Sequence, residues 1–127
     1  MLKAIIAVTV LCLVSHSSIA ANRDDILKGT EMWAPIDVRI VGKKAEIILP
    51  QKRITDRIYL SVIGAGVCTR LIAKPNSLDG IEEISVLNQF AYQGYVFEGG
   101  TELCKKLNKM PLGKSKEIYL LGFTHLH

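Results

Sequence analysis

Histidine, tryptophan and long apolar runs are what this chain has least of, and each shortage removes a class of function. There are three histidines in 127 residues, and two of them, His125 and His127, occupy the last three positions. A serine or cysteine nucleophile hands its proton to a histidine held by packed neighbours. A histidine in a fraying chain end is poorly held. Aromatic residues make up 6% of the chain, with one tryptophan, so Trp33, Tyr92, Tyr95 and Phe97 read first as core or half-core. The apolar stretch from Ala4 to Val14 is well short of the about twenty residues a membrane span needs. No Cys-x-x-Cys pair is present, which argues against a redox-active dithiol. No internal repeat or low-complexity tract breaks the chain into arrays.

What is there begins with the leader. Lys3, the apolar stretch to Val14, polar Ser15 to Ser18 and the small-residue exit Ser18-Ile19-Ala20 follow the three-part plan of a secretory signal peptide. Cys12 is preceded by Leu11, too bulky for a lipid-attachment signal, so no acyl anchor is expected. The expected mature chain is therefore residues 21–127, a single domain, exported: periplasmic if the source is bacterial, secreted otherwise. Loss of Lys3 leaves 15 basic against 12 acidic residues, net +3. The lysine pairs Lys43-Lys44 and Lys105-Lys106 are scattered rather than gathered into a phosphate-tracking stripe, so nucleic acid is not an expected partner.

Loss of Cys12 leaves two cysteines, Cys68 and Cys104. An even count in an oxidising compartment predicts one disulfide. Closing a loop of that length would stabilise the fold by about 4 kcal/mol on the chain-entropy model.

Local patterns predict a small α+β domain: an antiparallel sheet of four to five strands with two helices on one face, tied by an interhelical Cys68–Cys104 bridge. Asn22 with Asp24 and Asp25 reads as a helix start that Gly29 ends. Ile36, Val38 and Ile40 alternate with polar residues, and a two-residue turn at Gly42-Lys43 pairs Ile40 with Ala45, Val38 with Ile47, Ile36 with Leu49 and Arg39 with Glu46. Thr55 and Asp56 open a helix to about Ile72, whose Gly64 and Gly66 each cost about 1 kcal/mol relative to alanine and so imply a close approach. The segment Val62-Ile63-Gly64-Ala65-Gly66 mimics the start of a dinucleotide-binding turn. The third glycine of that fingerprint is replaced by Thr69, so no nucleotide cofactor is expected.

Further on, Val86, Asn88, Phe90 and Tyr92 share one face of an extended segment, and Gly94 marks either a turn or a bulge. Gly99-Gly100-Thr101 opens a second helix, with Leu103, Leu107 and Met110 on its apolar side and Pro111 closing it. Glu117 to His125, apolar on both faces, reads as a central strand.

Three functional expectations follow. The first is a non-catalytic exported protein that binds another macromolecule, such as an envelope accessory factor or an inhibitor, through an aromatic patch or free sheet edge around Tyr92, Tyr95 and Phe97. The second is a metal site at His125 and His127, which in an extended chain point the same way but lack a third ligand in sequence. The third is a small hydrolase whose acids, drawn from pairs such as Asp24-Asp25 and Glu82-Glu83, meet only in the fold.

Overall fold

The computed structural model describes residues 16–127. The basic start and apolar centre of the expected leader, with Cys12, lie outside the described residues. The first helix, α1 (His16–Gly29), runs through the Ser18-Ile19-Ala20 exit, so a cut after Ala20 would leave 21–29 as the leading helix. Asn22 is therefore inside the helix and not its cap. It is buried and donates Nδ2 to the Asp79 carbonyl at 2.8 Å, tying α1 to the distant 74–81 loop. A short 3₁₀ turn (Glu31–Trp33) leads into the sheet.

Strands β1 (Asp37–Val41) and β2 (Lys44–Ile48) form the expected hairpin. Ile40 opposes Ala45, Val38 opposes Ile47 and Arg39 opposes Glu46, with Gly42 supplying the positive φ that the tight turn needs. The Ile36–Leu49 pair does not form; the Ile36 amide donates instead to the Ile48 carbonyl. β1 is an edge strand, and edges invite unwanted pairing. Arg23 of α1 blunts this one, donating Nε to the Val38 carbonyl at 2.9 Å and pairing with Asp37 at 3.2 Å.

A long helix follows, in three segments: α2 (Asp56–Ser61), a π segment (Val62–Cys68) and α3 (Thr69–Ala73). Thr55 caps it, its hydroxyl accepting from the Ile58 amide at 3.2 Å. The chain returns as β3 (Glu83–Leu87), which lies parallel to β2, then β4 (Gly94–Phe97) and β5 (Thr124–Leu126), both antiparallel to their neighbours. The five strands lie in chain order. The sheet is thus mostly rather than wholly antiparallel, because a helical crossover between neighbouring strands returns the chain in the same direction.

The helices gather on one face. Val38, Ala45, Ile47, Ile84, Val86 and Phe97 from the sheet share a single buried cluster with Ile26, Tyr59, Val62, Ile63, Val67, Leu71 and Leu107. Helix α4 (Thr101–Lys109) begins after Gly100, as the sequence predicts, and Cys104 bonds to Cys68 of the π segment. Asn108 adds a second tie, donating Nδ2 to the Cys68 carbonyl at 2.8 Å. Gly66 explains its own cost: a methyl group there would sit 2.9 Å from the Trp33 ring and 3.1 Å from the Gly29 carbonyl. The π segment crosses the end of α1 at backbone contact.

The expected central strand from Glu117 to His125 is instead helix α5 (Lys114–Leu121) followed by the edge strand β5. Ile118, Tyr119, Leu120 and Leu121 are consecutive apolar residues that fit either period. Of these only Leu120 is buried, and Ile118 and Leu121 face solvent. No helix among the described residues is long and apolar enough to cross a membrane.

Gly66→Ala should lower stability by roughly 1 kcal/mol, overpacking outweighing the gain in helix propensity, read as a fall in the urea midpoint without a change in slope. Acid sensitivity has a local source as well. The hydrogen bond from Arg23, helped by Arg39 and opposed by partial desolvation, holds the Asp37 carboxyl below its usual range. A carboxyl that ionises more readily folded than unfolded stabilises above its ordinary pKa, and that contribution disappears as pH falls through the depressed value. Asp37→Asn should therefore flatten the loss of stability below about pH 4, measured by urea unfolding across a pH series.

Candidate functional site

The end of the sheet where parallel strands β2 and β3 finish is the end at which α/β sheets present ligand-binding loops. Two loops meet there. One, residues 49–55 with Pro50 near its start, follows β2; the other, Asn88 to Gln93, joins β3 to β4. Their union depends on two polar side chains. Asn88 is fully buried and donates Nδ2 to the Lys52 carbonyl at 2.9 Å, while its Oδ1 accepts from the amides of Tyr92 and Gln93 at 3.1 and 3.2 Å. Gln93 bonds both backbone groups of Ile54, accepting at 2.7 Å and donating at 2.9 Å. The Gln89 amide donates to the Gln51 carbonyl at 2.9 Å.

The connection is tight enough that Ala91 takes a left-handed φ of 58°, a conformation that costs a non-glycine residue about 1 kcal/mol or more. Gly94 resumes the sheet at a point where a methyl group would fall 1.9 Å from the Val86 carbonyl oxygen, so no side chain fits.

This framework presents two aromatic rings to solvent. Phe90 and Tyr92 are each 65% exposed and stack on each other, with centroids 5.7 Å apart and planes 5° from parallel. The partner loop carries Lys52 and Arg53, and the first turn of α2 carries Arg57. All three cations are exposed and none enters an ion pair among the described residues. Asp56, also exposed, accepts from the Arg57 amide.

The other residues singled out in sequence separate in space. Tyr95 is half-buried and stacks on Tyr59 with centroids 5.0 Å apart. Phe97 is fully buried in the core and offers no contact surface. Gly94 exposes no free sheet edge, because β4 is paired on both sides and the Gly94 carbonyl accepts from the His127 amide. The aromatic patch is therefore Phe90 with Tyr92, and Phe90 had no special signal in the sequence. The run Asn-Gln-Phe-Ala-Tyr-Gln-Gly, read as a loop between strands, would have exposed both rings.

His125 lies on exposed β5, opposite Val96, and His127 follows two residues on. The His125 Nδ1 is 2.7 Å from a Glu98 oxygen, and Nε2 is 3.9 Å from Glu83. Among the described residues no group of three or more His, Cys, Asp or Glu side chains is spaced to hold a metal ion.

The paired acids are tied elsewhere: Asp25 to Arg70 at 3.0 Å, Glu82 to Lys43 at 3.4 Å and Glu83 to Lys44 at 3.1 Å. Burial pushes the Tyr59 hydroxyl strongly up, and it sits in a hydrogen bond with Thr124, so this phenol holds its proton. Gly64 and Gly66 lie within a helix rather than in a strand-to-helix turn, and no phosphate-cradling loop forms there.

Asn88→Ala should destabilise the protein by about 2 kcal/mol or more, since it leaves three backbone groups without their partner. Hydrogen exchange should localise the change, with faster exchange at the Tyr92 and Gln93 amides than at those of β1 and β2. No protein-family model, curated protein or solved structure matches this chain.

Proposed function

We propose that this is an exported, non-catalytic protein that binds another macromolecule through the Phe90–Tyr92 knuckle, in the manner of an envelope accessory factor or an inhibitor. The observation that carries the reading is the cost of that knuckle. A fully buried asparagine, a glutamine bridging two loops and a left-handed alanine are arranged so that two large rings stand in water. Ordering a loop costs conformational entropy, and a core-forming role would have turned the rings inward. Rigid aromatic side chains are those that most often supply interface energy, and ordering them in advance lowers the entropy lost on binding.

The disulfide supports an oxidising compartment, and the leader pattern supports export. The partner is another protein or an envelope component. Lys52, Arg53 and Arg57 would steer it if it carries acidic groups.

Site-specific photocrosslinking tests this in the native host. A benzoyl-phenylalanine at position 92 should trap one reproducible macromolecule that the same probe at exposed Met32 does not. Phe90→Ser should leave the unfolding free energy from urea titration within about 0.5 kcal/mol of native while weakening binding of that partner at least about tenfold. Identical background products at both positions would dismiss the knuckle as a contact site.

A further inference from the structure

Charge is unevenly spread along this chain. Residues 103–127 carry five lysines (Lys105, Lys106, Lys109, Lys114 and Lys116) and a single acid, Glu117, whereas residues 21–102 carry ten basic and eleven acidic residues. The positive charge of the expected mature chain therefore lies wholly between Lys105 and Lys116, in α4, the start of α5 and the link joining them. Lys105 pairs with Glu102 at 3.4 Å, and the other four lysines enter no ion pair among the described residues.

The same segment shows aliphatic side chains to water. Leu112 in the link is 91% exposed, Ile118 61% and Leu121 42%. Lys114, Ile118 and Leu121 follow at i, i+4 and i+7, which puts them on one stripe of α5, turned away from its buried Leu120. A surface helix ordinarily keeps its apolar stripe for the core. α5 carries a second one outside. Lysines and aliphatic groups also meet at two other places: Leu112 and Lys116 both border the recess between the long helix and the start of α5, and exposed Ile72 of α3 lines a groove with Lys105 and Lys109.

Charge and side-chain type select the occupant. A second copy of the chain would set lysines against lysines across the contact. Protein interfaces favour aromatic residues and arginine and are depleted in lysine, yet residues 103–127 contain no arginine and no exposed Phe, Tyr or Trp. Aliphatic groups set among lysines suit a bilayer surface instead. The aliphatic ends enter the headgroup boundary, the lysine stems lie along it, and the ammonium groups are drawn to phosphates.

We propose that the α4–α5 corner docks on the surface of an anionic phospholipid bilayer, with Leu112, Ile118 and Leu121 entering the headgroup boundary and the unpaired lysines attracting lipid phosphates. The protein lies on the bilayer without crossing it. This surface shares no residue with the Phe90–Tyr92 knuckle, and the two are tested separately.

Co-sedimentation of the native disulfide-bonded protein, purified from its host, with phospholipid vesicles tests the proposal. Vesicles of equal parts phosphatidylcholine and phosphatidylglycerol should retain it at least about tenfold more strongly than phosphatidylcholine alone, and raising salt to about 0.5 M should remove most of that difference. Lys114→Gln should weaken retention roughly three- to fivefold. Leu112→Ser combined with Ile118→Ser should weaken it at least about tenfold with the urea midpoint unchanged, because both side chains are exposed. Val41→Ser, which removes an equally exposed side chain from distant β1, should leave retention as it was. Equal retention by the two vesicle types, no retention by either, or equal loss from Val41→Ser and the Leu112, Ile118 pair would overturn the proposal. So would a photocrosslinker at position 118 that traps an acidic protein in the host while vesicles retain nothing.

Discussion

The close crossing of the π segment over the end of α1 is the constraint on which the other elements depend. At Gly66 the helix can meet the Gly29 carbonyl and the Trp33 ring only because no side chain intervenes. Two residues on, Cys68 is bonded to Cys104, and its carbonyl takes the amide of Asn108. One short stretch therefore joins α1, the long helix and α4. With these three elements held together, Ile26, Val62, Ile63, Val67 and Leu107 form one apolar surface that a single face of the sheet can cover. The disulfide restricts the unfolded chain as well, so the same point acts on both sides of the folding equilibrium.

The sheet is completed by ties of a different kind. Arg23 closes the β1 edge, and Tyr59 reaches Thr124 at the start of β5, whose hydroxyl in turn bonds the Leu120 carbonyl of α5. A short C-terminal strand with three exposed or half-exposed residues would fray on its own. The buried tyrosine holds it against β4. The His125–Glu98 pair adds to this on the open face, which gives that histidine a structural occupation beside any ligand role.

Among the described residues, a knuckle and a recess differ in character. The Phe90–Tyr92 knuckle is aromatic and exposed, and the loop bonded to it carries two cations. Buried polar groups hold it in place. The recess between the long helix and α5 is mostly apolar, with Lys116 and Glu117 both in its lining. An exposed, rigidly held aromatic pair suits the surface of a large partner.

Much of this architecture was legible in the sequence, and the boundary is physical. The hairpin register, the Thr55 cap, the extent of the long helix and the start of α4 follow from local rules: period-two alternation, capping chemistry and turn residues. The Cys68–Cys104 pairing was expected only with Cys12 set aside as part of a leader. Even the reason for Gly66 was anticipated as a close approach. What the sequence could not reveal depended on groups far apart in the chain. Four consecutive apolar residues at 118–121 satisfy both helical and extended periods, and in the folded chain they form the end of α5 while Thr124–Leu126 pairs with β4. The direction of β3 was set by how the crossover packs. The Phe90–Tyr92 loop is held by hydrogen bonds from Asn88 and Gln93 to a loop nearly forty residues away, whereas Phe97 is buried because its place on β4, beside Ile84, faces the helices. Local pattern fixes which faces of an element are apolar; only the long-range polar contacts determine which of those faces is left in water.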